Sequence, residues 1–339
     1  MRPALLAALV LVGAPALAIV VLWALVVRMP GRSYAGPLPA LSAAEEASRR
    51  HLEAHVTALA GRIGERNYRR PAALDAAAAY VEDAFGALGY EVRSQPFAAD
   101  GQRFRNLEVT LPGRERPDEV VVVGGHYDSA VGTPGADDNA TGTAGVLELA
   151  RMLRGVPLAR TVRLVAFVNE EPPFFLTEHM GSRVYARAAR ARGDRVVAML
   201  SLETIGHYSS APGSQQYPPP LNLAYPDRGD FIGFVGNVAS RALVRQSIGA
   251  FRRHARFPSQ GAAAPGSIPG VYWSDHWSFW REGYPAIMIT DTAPFRNPAY
   301  HSAADTPDRV DYARMARVVD GLAAVVRELA GPATGAGGR

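Results

Sequence analysis

The sequence predicts an α/β fold built on a largely parallel sheet, and three observations predict it. Segments of strand pattern alternate with segments of helical spacing through most of the 339 residues, which is the arrangement of crossover connections. Residues 120–123 are an unbroken run of valine, a pattern that suits a strand buried on both faces. The stretch that follows, HYDSAVGTPGADDNATG, places an imidazole and several carboxylates beyond a strand's carboxyl end, where open α/β sheets bind their ligands. Such a donor set suggests a metal.

Composition narrows the class. A hydrophobic share of 48% and a charged share of 20% are ordinary for a globular chain that also carries one apolar segment. Net charge is only +4, and all 36 basic residues are arginines scattered along the chain. That distribution gives no footprint for nucleic acid. Cysteine is absent, so disulfides and thiolate chemistry are excluded.

Residues 3–27 carry no charge and exceed the roughly 20 residues needed to span a bilayer. Ala16-Leu17-Ala18 resembles a cleavage site, but the apolar run continues past it, so the reading is an uncleaved single-pass anchor. A short cytoplasmic amino terminus would leave the rest of the chain extracytoplasmic. Residues 28–41 read as a Gly/Pro linker, residues 42–330 as one domain and residues 331–339 as a disordered tail.

Within the domain, Ser42 followed by Glu45 is a capping box, opening a helix expected to reach residue 60. It carries His51, Glu53 and His55. The zincin pattern His-Glu-x-x-His is not matched, so these three are expected on a solvated face. A second helix is expected over 71–88. Strands are expected over 91–97, 106–111, 119–124, 161–168, 196–202, 231–235 and 286–290. Helices are expected over 141–153, 182–191, 238–252 and 312–329. Two Pro/Gly/Ser-rich stretches, 209–229 and 257–270, read as long loops that shape a site.

Polar groups gather at the predicted strand ends. These are His126 with Asp128, Asp137 with Asp138, Glu170 with Glu171, and Glu203, with His301 beyond the last strand. Imidazole and carboxylate together suit zinc, and two neighbouring zincs can share one carboxylate. Alternatives are weak by pattern. Calcium loops alternate their ligands, whereas these aspartates are consecutive. No Gly-x-Ser-x-Gly elbow marks a serine hydrolase. The sequon Asn139-Ala140-Thr141 falls inside the expected site. His179, His207 and His254 lack ligand spacing.

The segments GGHYDS, PGADDNATG, Glu170-Glu171, SLETIG, SDHWSFW and YHSAADTPD, in this order, resemble the zinc-dependent exopeptidases that include bacterial leucyl aminopeptidase and the glutamate carboxypeptidases. The likeness runs from about residue 41 to 329. It implies a central mixed, mostly parallel sheet with helices on both faces, and a site for two zinc ions. By resemblance His126 and Glu203 hold one zinc, Glu171 and His301 the other, and Asp138 bridges them. Glu170 is then the general base, and Asp128 orients the His126 imidazole. The same likeness implies a cis peptide between Asp138 and Asn139, makes Asp275 a substrate or proton-network residue, and places Tyr300 at the substrate. Trp277, Phe279 and Trp280 are either pocket wall or core.

Two departures are visible. The family often has Asp where this chain has Glu203, and the PPFFLTEHM insertion after Glu171 offers Phe174, Phe175 and Met180 as a lid or as loop packing. The expected activity is release of N-terminal residues from a peptide substrate. A single-zinc glutaminyl-cyclase-like transferase is the first alternative, and a non-catalytic binding ectodomain is the second. Glu170→Gln is expected to leave zinc bound and to impair turnover.

Overall fold

A computed structural model describes residues 23, 26–217, 219 and 221–333. Of the expected anchor over residues 3–27, all but Trp23, Val26 and Val27 lie outside the described residues, as does 334–339 of the expected tail. Among the described residues no helix is long and apolar enough to cross a membrane.

Helix α1 (Ala43–Val56) starts at the expected capping box. Ser42 Oγ accepts from the Glu45 amide at 3.2 Å and Glu45 Oε2 accepts from the Ser42 amide at 2.7 Å. It runs on into a π-helical turn, Thr57–Ile63. Helix α2 (Pro71–Ala87) follows, with proline in its first turn where no intrahelical donor is lost. Strands β1 (Arg93–Ala99) and β2 (Gln102–Leu111) then form a hairpin. Its turn is Asp100-Gly101, with φ of 47° and 75°, the left-handed pair that matches the twist of the flanking strands.

The remaining elements are β3 (Arg116–His126), α3 (Gly142–Leu153), β4 (Arg160–Phe167), α4 (Gly181–Arg192), β5 (Arg195–Glu203), β6 (Ile232–Asn237), α5 (Arg241–His254), β7 (Ser259–Ala264), α6 (His276–Arg281), β8 (Ala286–Thr290) and α7 (Tyr312–Ala330). The sheet order is β1-β2-β4-β3-β5-β8-β6-β7. Its centre, β4-β3-β5-β8, is parallel throughout, while β1, β2 and β6 bring antiparallel pairings toward the edges. The sheet is therefore mixed.

The four valines of β3 show how both faces are covered. Val121 and Val123 enter one apolar cluster with Leu52 of α1, Leu147 of α3 and Val318 of α7. Val120 and Val122 enter the other with Tyr185 of α4 and Phe279 of α6. All four are at most 2% exposed, each contributing about 1.5–3 kcal/mol of burial. The chain leaves β3 for β4 on one side and later adds β5 on the other. That reversal opens a crevice at the carboxyl end of β3.

Two elements fall where strand or helix was not expected. The stretch 257–270 contains β7, whose sequence Ser-Gln-Gly-Ala-Ala-Ala has no β-branched residue and pairs in parallel with β6 as an edge strand. Helix α6 lies in the SDHWSFW stretch and is too short to show a helical period. The segment expected to be a linker is strapped to the body, with Ser33 Oγ accepting from the Ser259 amide at 2.9 Å. The first residues of the expected tail are also held, through a bridge between Pro332 and Leu158.

His51 and Glu53 stay outside the site. His51 Nδ1 lies 3.3 Å from Glu148 and Glu53 accepts from Arg49. His55 is half-buried, its Nδ1 2.7 Å from the Tyr80 hydroxyl. Burial lowers the His55 pKa from 6.5 to about 4, with the Glu148 charge opposing that shift. The folded state therefore binds this proton less readily than the unfolded chain. The stability it contributes is complete above pH 6.5 and is lost as pH falls toward 4. His55→Gln keeps a partner for Tyr80 without titrating there, and is expected to flatten that part of the Tm–pH profile. Parallel profiles for wild type and variant would exclude His55 as a source of acid sensitivity.

Candidate metal centre

Strand β3 ends at His126, and Tyr127 still donates its amide to the Phe167 carbonyl at the end of β4 at 2.9 Å. Asp128 thus lies beyond the strand and not on it. Gly135 opens the second half of the loop with φ of 64°. A Cβ there would stand 2.5 Å from both the Asp138 carbonyl and the Ser129 side chain, so glycine is required on both counts. The Asp138–Asn139 peptide is cis, as expected.

The side chains meet as two sets around one carboxylate. Asp138 Oδ1 lies 3.3 Å from His126 Nε2, which is also 3.5 Å from Glu203 Oε2. Asp138 Oδ2 lies 3.0 Å from His301 Nε2, which is 3.3 Å from Glu171 Oε2. In each set the nitrogen and oxygen atoms lie within 4.8 Å of one another. Glu170 Oε2 stands 3.8 Å from His126 Nε2 and lines the adjacent cavity. The cis Pro172–Pro173 peptide follows Glu171, and the two adjacent glutamates face different partners.

These residues fit a metal. His126 Nε2, Asp138 Oδ1 and Glu171 Oε1 are buried without a hydrogen-bond partner, which is costly unless a cation compensates. Burial pushes the Glu171 carboxyl up to about 7, reinforced by the Asp138 charge and opposed by His301. It raises Glu170 and Glu203 as well. His301 rises to about 10, because its hydrogen bonds to Asp138 and Glu171 outweigh its own burial. Protons crowd into a site with more negative charge than protein cations can neutralise. Nitrogen and carboxylate oxygen are the donors zinc takes.

Around the donors, buried groups fix the backbone. The Asp128 carboxylate accepts the amides of Glu170 at 3.3 Å and Glu171 at 3.2 Å, and its Oδ1 lies 3.5 Å from His126 Nδ1. It therefore ties the β4 loop to the β3 loop as well as facing the imidazole. Asp305 accepts the amides of Asp137 and Asp138 at 2.9 and 3.1 Å. Asp137 accepts from the Gly206 amide and from Asn297. Asn139 is fully buried. Its Nδ2 donates to the Leu202 carbonyl at 2.8 Å and its Oδ1 accepts from Gly142 and Thr204. The longer side chain of Glu203 is held by the Ser274 hydroxyl at 2.7 Å.

Arg66 has no counterpart in the sequence reading. Its side chain is 0% exposed. Nε donates to the Tyr127 carbonyl at 2.6 Å, Nη1 to Pro134 at 2.5 Å and Nη2 to Gly135 at 2.8 Å. One guanidinium thus joins the residue after His126 to the turn before Asp138. Burial lowers its pKa to about 10, opposed chiefly by Asp128 and Asp305, so it stays charged at neutral pH.

A cavity of about 370 Å³ adjoins the donors. Tyr217, Tyr225, Phe231, Trp273 and Phe295 are among its walls, and Tyr300 lines it while stacking on His301 at 4.0 Å. Asp275, expected at the substrate or in a proton network, is fully buried and not among the lining residues, and its charge is one of those that raise the Glu170 carboxyl. It follows Ser274 into the short helix α6, which turns its side chain inward. The insertion after Glu171 divides. Phe175 lines the cavity, whereas Phe174 packs on Tyr68 and Phe104 and Met180 is core. Phe279 is core, and Trp280 packs beside it. His179 and His254 lie apart from the donors, against Phe174 and Glu328, and His207 donates its amide to Asp291.

The model of peptidase family M28 matches residues 106–326. A protein of Escherichia coli strain K12, YfbL, described as uncharacterized, is 41% identical over 290 residues, covering 83% of this chain and 88% of that one. A probable zinc metalloprotease of Leptosphaeria maculans is 30% identical over 237 residues, covering 62% of this chain and 53% of its own length. The chain thus spans about half of that fungal relative. A solved zinc aminopeptidase from Bacillus subtilis superposes with a TM-score of 0.68 at 16% identity, over 85% of this chain and 96% of that one. The glutaminyl cyclase of Fimbriiglobus ruber gives 0.61 at 19%, over 88% and 99%. At those identities the likeness to the two solved structures is one of fold.

Arg66→Lys keeps the charge but cannot reach three carbonyls at once. It is expected to lower zinc affinity ~10–100-fold, read by competition with a chromophoric chelator, with the circular dichroism spectrum unchanged. Wild-type affinity would show that the loops hold their positions without the guanidinium fork.

Proposed function

This chain belongs to peptidase family M28 and is a zinc peptidase, and from that premise we propose that it removes the N-terminal residue from peptides. The observation that carries the reading is the pairing of two donor sets through the two oxygens of Asp138, with Glu170 free of both sets and facing the cavity. His126, Asp138 and Glu203 would hold one zinc, and Asp138, Glu171 and His301 a second. Bound there, zinc would supply a Lewis acid and make water nucleophilic at neutral pH.

The protein's own groups divide the remaining work. Glu170 takes the proton from the attacking water and returns it to the departing amine, a task suited to a carboxylate whose proton affinity burial has raised. Asp128 holds Glu170 and Glu171 by their amides. The cavity fits an amino end better than a carboxyl end. Among the described residues that line it there is no arginine to pair a substrate carboxylate. Its aromatic walls suit an apolar side chain. Two complete donor sets, each with an orphaned buried atom, His126 Nε2 in one and Glu171 Oε1 in the other, support two metals over the single-zinc cyclotransferase.

Glu170→Gln is expected to retain two zinc ions per chain by elemental analysis and to lower kcat ~10²–10⁴-fold on leucyl or phenylalanyl anilide. Near-normal turnover in the variant would remove Glu170 as the base. One zinc per chain, with cyclisation of N-terminal glutamine, would replace the peptidase reading by the cyclase.

A further inference from the structure

One wall of the cavity is a face of the sheet itself. Glu203 of β5 pairs with Thr290 of β8, Thr290 with Gly233 of β6, and Gly233 with Gln260 of β7. The four residues thus form one row across the strands, and all four line the cavity. The residue after Gln260 faces the other way, since a Cβ on Gly261 would meet Met29 and Ile248. Three strand spacings put Gln260 roughly 14 Å from Glu203 along the row. Gly233 contributes no side chain between them, so the row is open from Thr290 to Gln260.

The polar side chains of the lining differ in what they still have to offer. Thr204 donates to the Glu203 carbonyl at 2.6 Å, and Thr290 Oγ1 accepts from the Thr292 amide at 2.8 Å. Gln215 Oε1 accepts from Arg296 Nε and from the Thr292 hydroxyl, and its Nε2 donates to the Gln216 carbonyl. The hydroxyls of Tyr217 and Tyr225 donate to the carbonyls of Pro226 and Gly261. Of the amide and hydroxyl side chains that line the cavity, only Gln260 and Tyr300 form no side-chain hydrogen bond among the described residues, and Tyr300 is stacked on His301 beside the donors. Gln260 is half-buried, and its carboxamide can both donate and accept. It has no charge with which to pair an ion.

We propose that Gln260 is a specificity-determining residue that reads the tip of the substrate's N-terminal side chain, and that the side chain it selects is tyrosine. The proposal rests on the aminopeptidase reading. A tyrosine side chain of roughly 6.5 Å, a hydrogen bond of about 3 Å and the glutamine's own reach of roughly 4.5 Å match the length of the row. The ring lies over Gly233, with Phe231, Trp273 and Phe295 among the walls around it, surfaces that suit another aromatic ring. The phenol then meets the Gln260 carboxamide. The loops frame the ring and β7 reads its tip. Phenylalanine fills the same space and leaves the carboxamide unpaired, while leucine stops short of it. Arginine or lysine would bring a charge to a neutral partner, because the carboxylates of the lining, Glu170, Glu171 and Glu203, all stand at the metal centre.

The test compares tyrosyl and phenylalanyl anilides, which differ by one oxygen, on the full-length zinc-loaded protein. Wild type is expected to favour the tyrosyl anilide ~3–10-fold in kcat/KM. Gln260→Leu is expected to bring that ratio to about 1 or below, and Gln260→Glu, which still accepts from a phenol, to keep it above 1. A wild-type ratio near 1 would overturn the proposal without any variant, so misfolding of a variant does not shelter it. A ratio that Gln260→Leu leaves unchanged would overturn it too, assigning the carboxamide to the peptide backbone or to packing. So would faster cleavage of arginyl or lysyl anilide than of tyrosyl anilide. Calorimetric binding of tyrosinol against phenylalaninol is expected to show the same preference without turnover. If no anilide is cleaved, the aminopeptidase reading falls, and equal affinity for the two amino alcohols would separately remove the role of Gln260.

Discussion

Asp138 must present its two oxygens to two different imidazoles, and much of the structure around it follows from that requirement. Its own amide and that of Asp137 are held by Asp305, and the next side chain, Asn139, ties the turn to the end of β5. Both attachments are to distant parts of the chain, so the turn forms only when the sheet and the last loop are in place. Arg66 adds a third tie, from the segment after α1. A carboxylate on a free loop would relax toward solvent. Here it stays 3% exposed between four other ionisable groups, which costs several kcal/mol unless cations repay it.

The same arrangement separates charge from shape. The negative charge of the cavity comes from Glu170, Glu171 and Glu203, and most of the rest of its lining is apolar. The fold accomplishes this by source. Donors come from the carboxyl ends of β3, β4 and β5 and the loops after β3 and β8, while the insertions after β5 and β7 supply only walls, joined by Phe175 after β4 and by Phe295 and Tyr300 after β8. The rigid centre of the sheet sets the chemistry, and the more variable loops set which side chain fits.

How much of this was legible in the sequence depended on whether the signal was local. The β3 valines, the capping box at Ser42 and the consecutive Asp137-Asp138-Asn139 each carry their meaning within a few residues. The strand-end donors could be read because strand ends are where such sites form. Arg66 could not, since it sits among Arg62, Arg69 and Arg70 with nothing local to single it out, and its burial is decided by carbonyls roughly 60 residues away in sequence. Strand β7 was hidden because it lacks β-branched residues. A one-turn helix leaves no periodic trace, so nothing local showed that the Asp275 side chain is buried and does not line the cavity.

The alanines and glycine that made β7 unreadable also serve it as an edge. An exposed edge strand invites pairing with another chain. Here the Tyr225 hydroxyl donates to the Gly261 carbonyl at 2.8 Å, Arg252 Nη2 to the Ser259 carbonyl at 2.8 Å, and Ser33 receives the Ser259 amide. Larger side chains would keep those covers away: a Cβ on Gly261 would come within 2.7 Å of Met29. The strand is therefore small so that the amino-terminal segment and the loop after β5 can close over it. Because that loop supplies Tyr217 and Tyr225 to the cavity, protecting the edge and shaping the pocket are one packing solution.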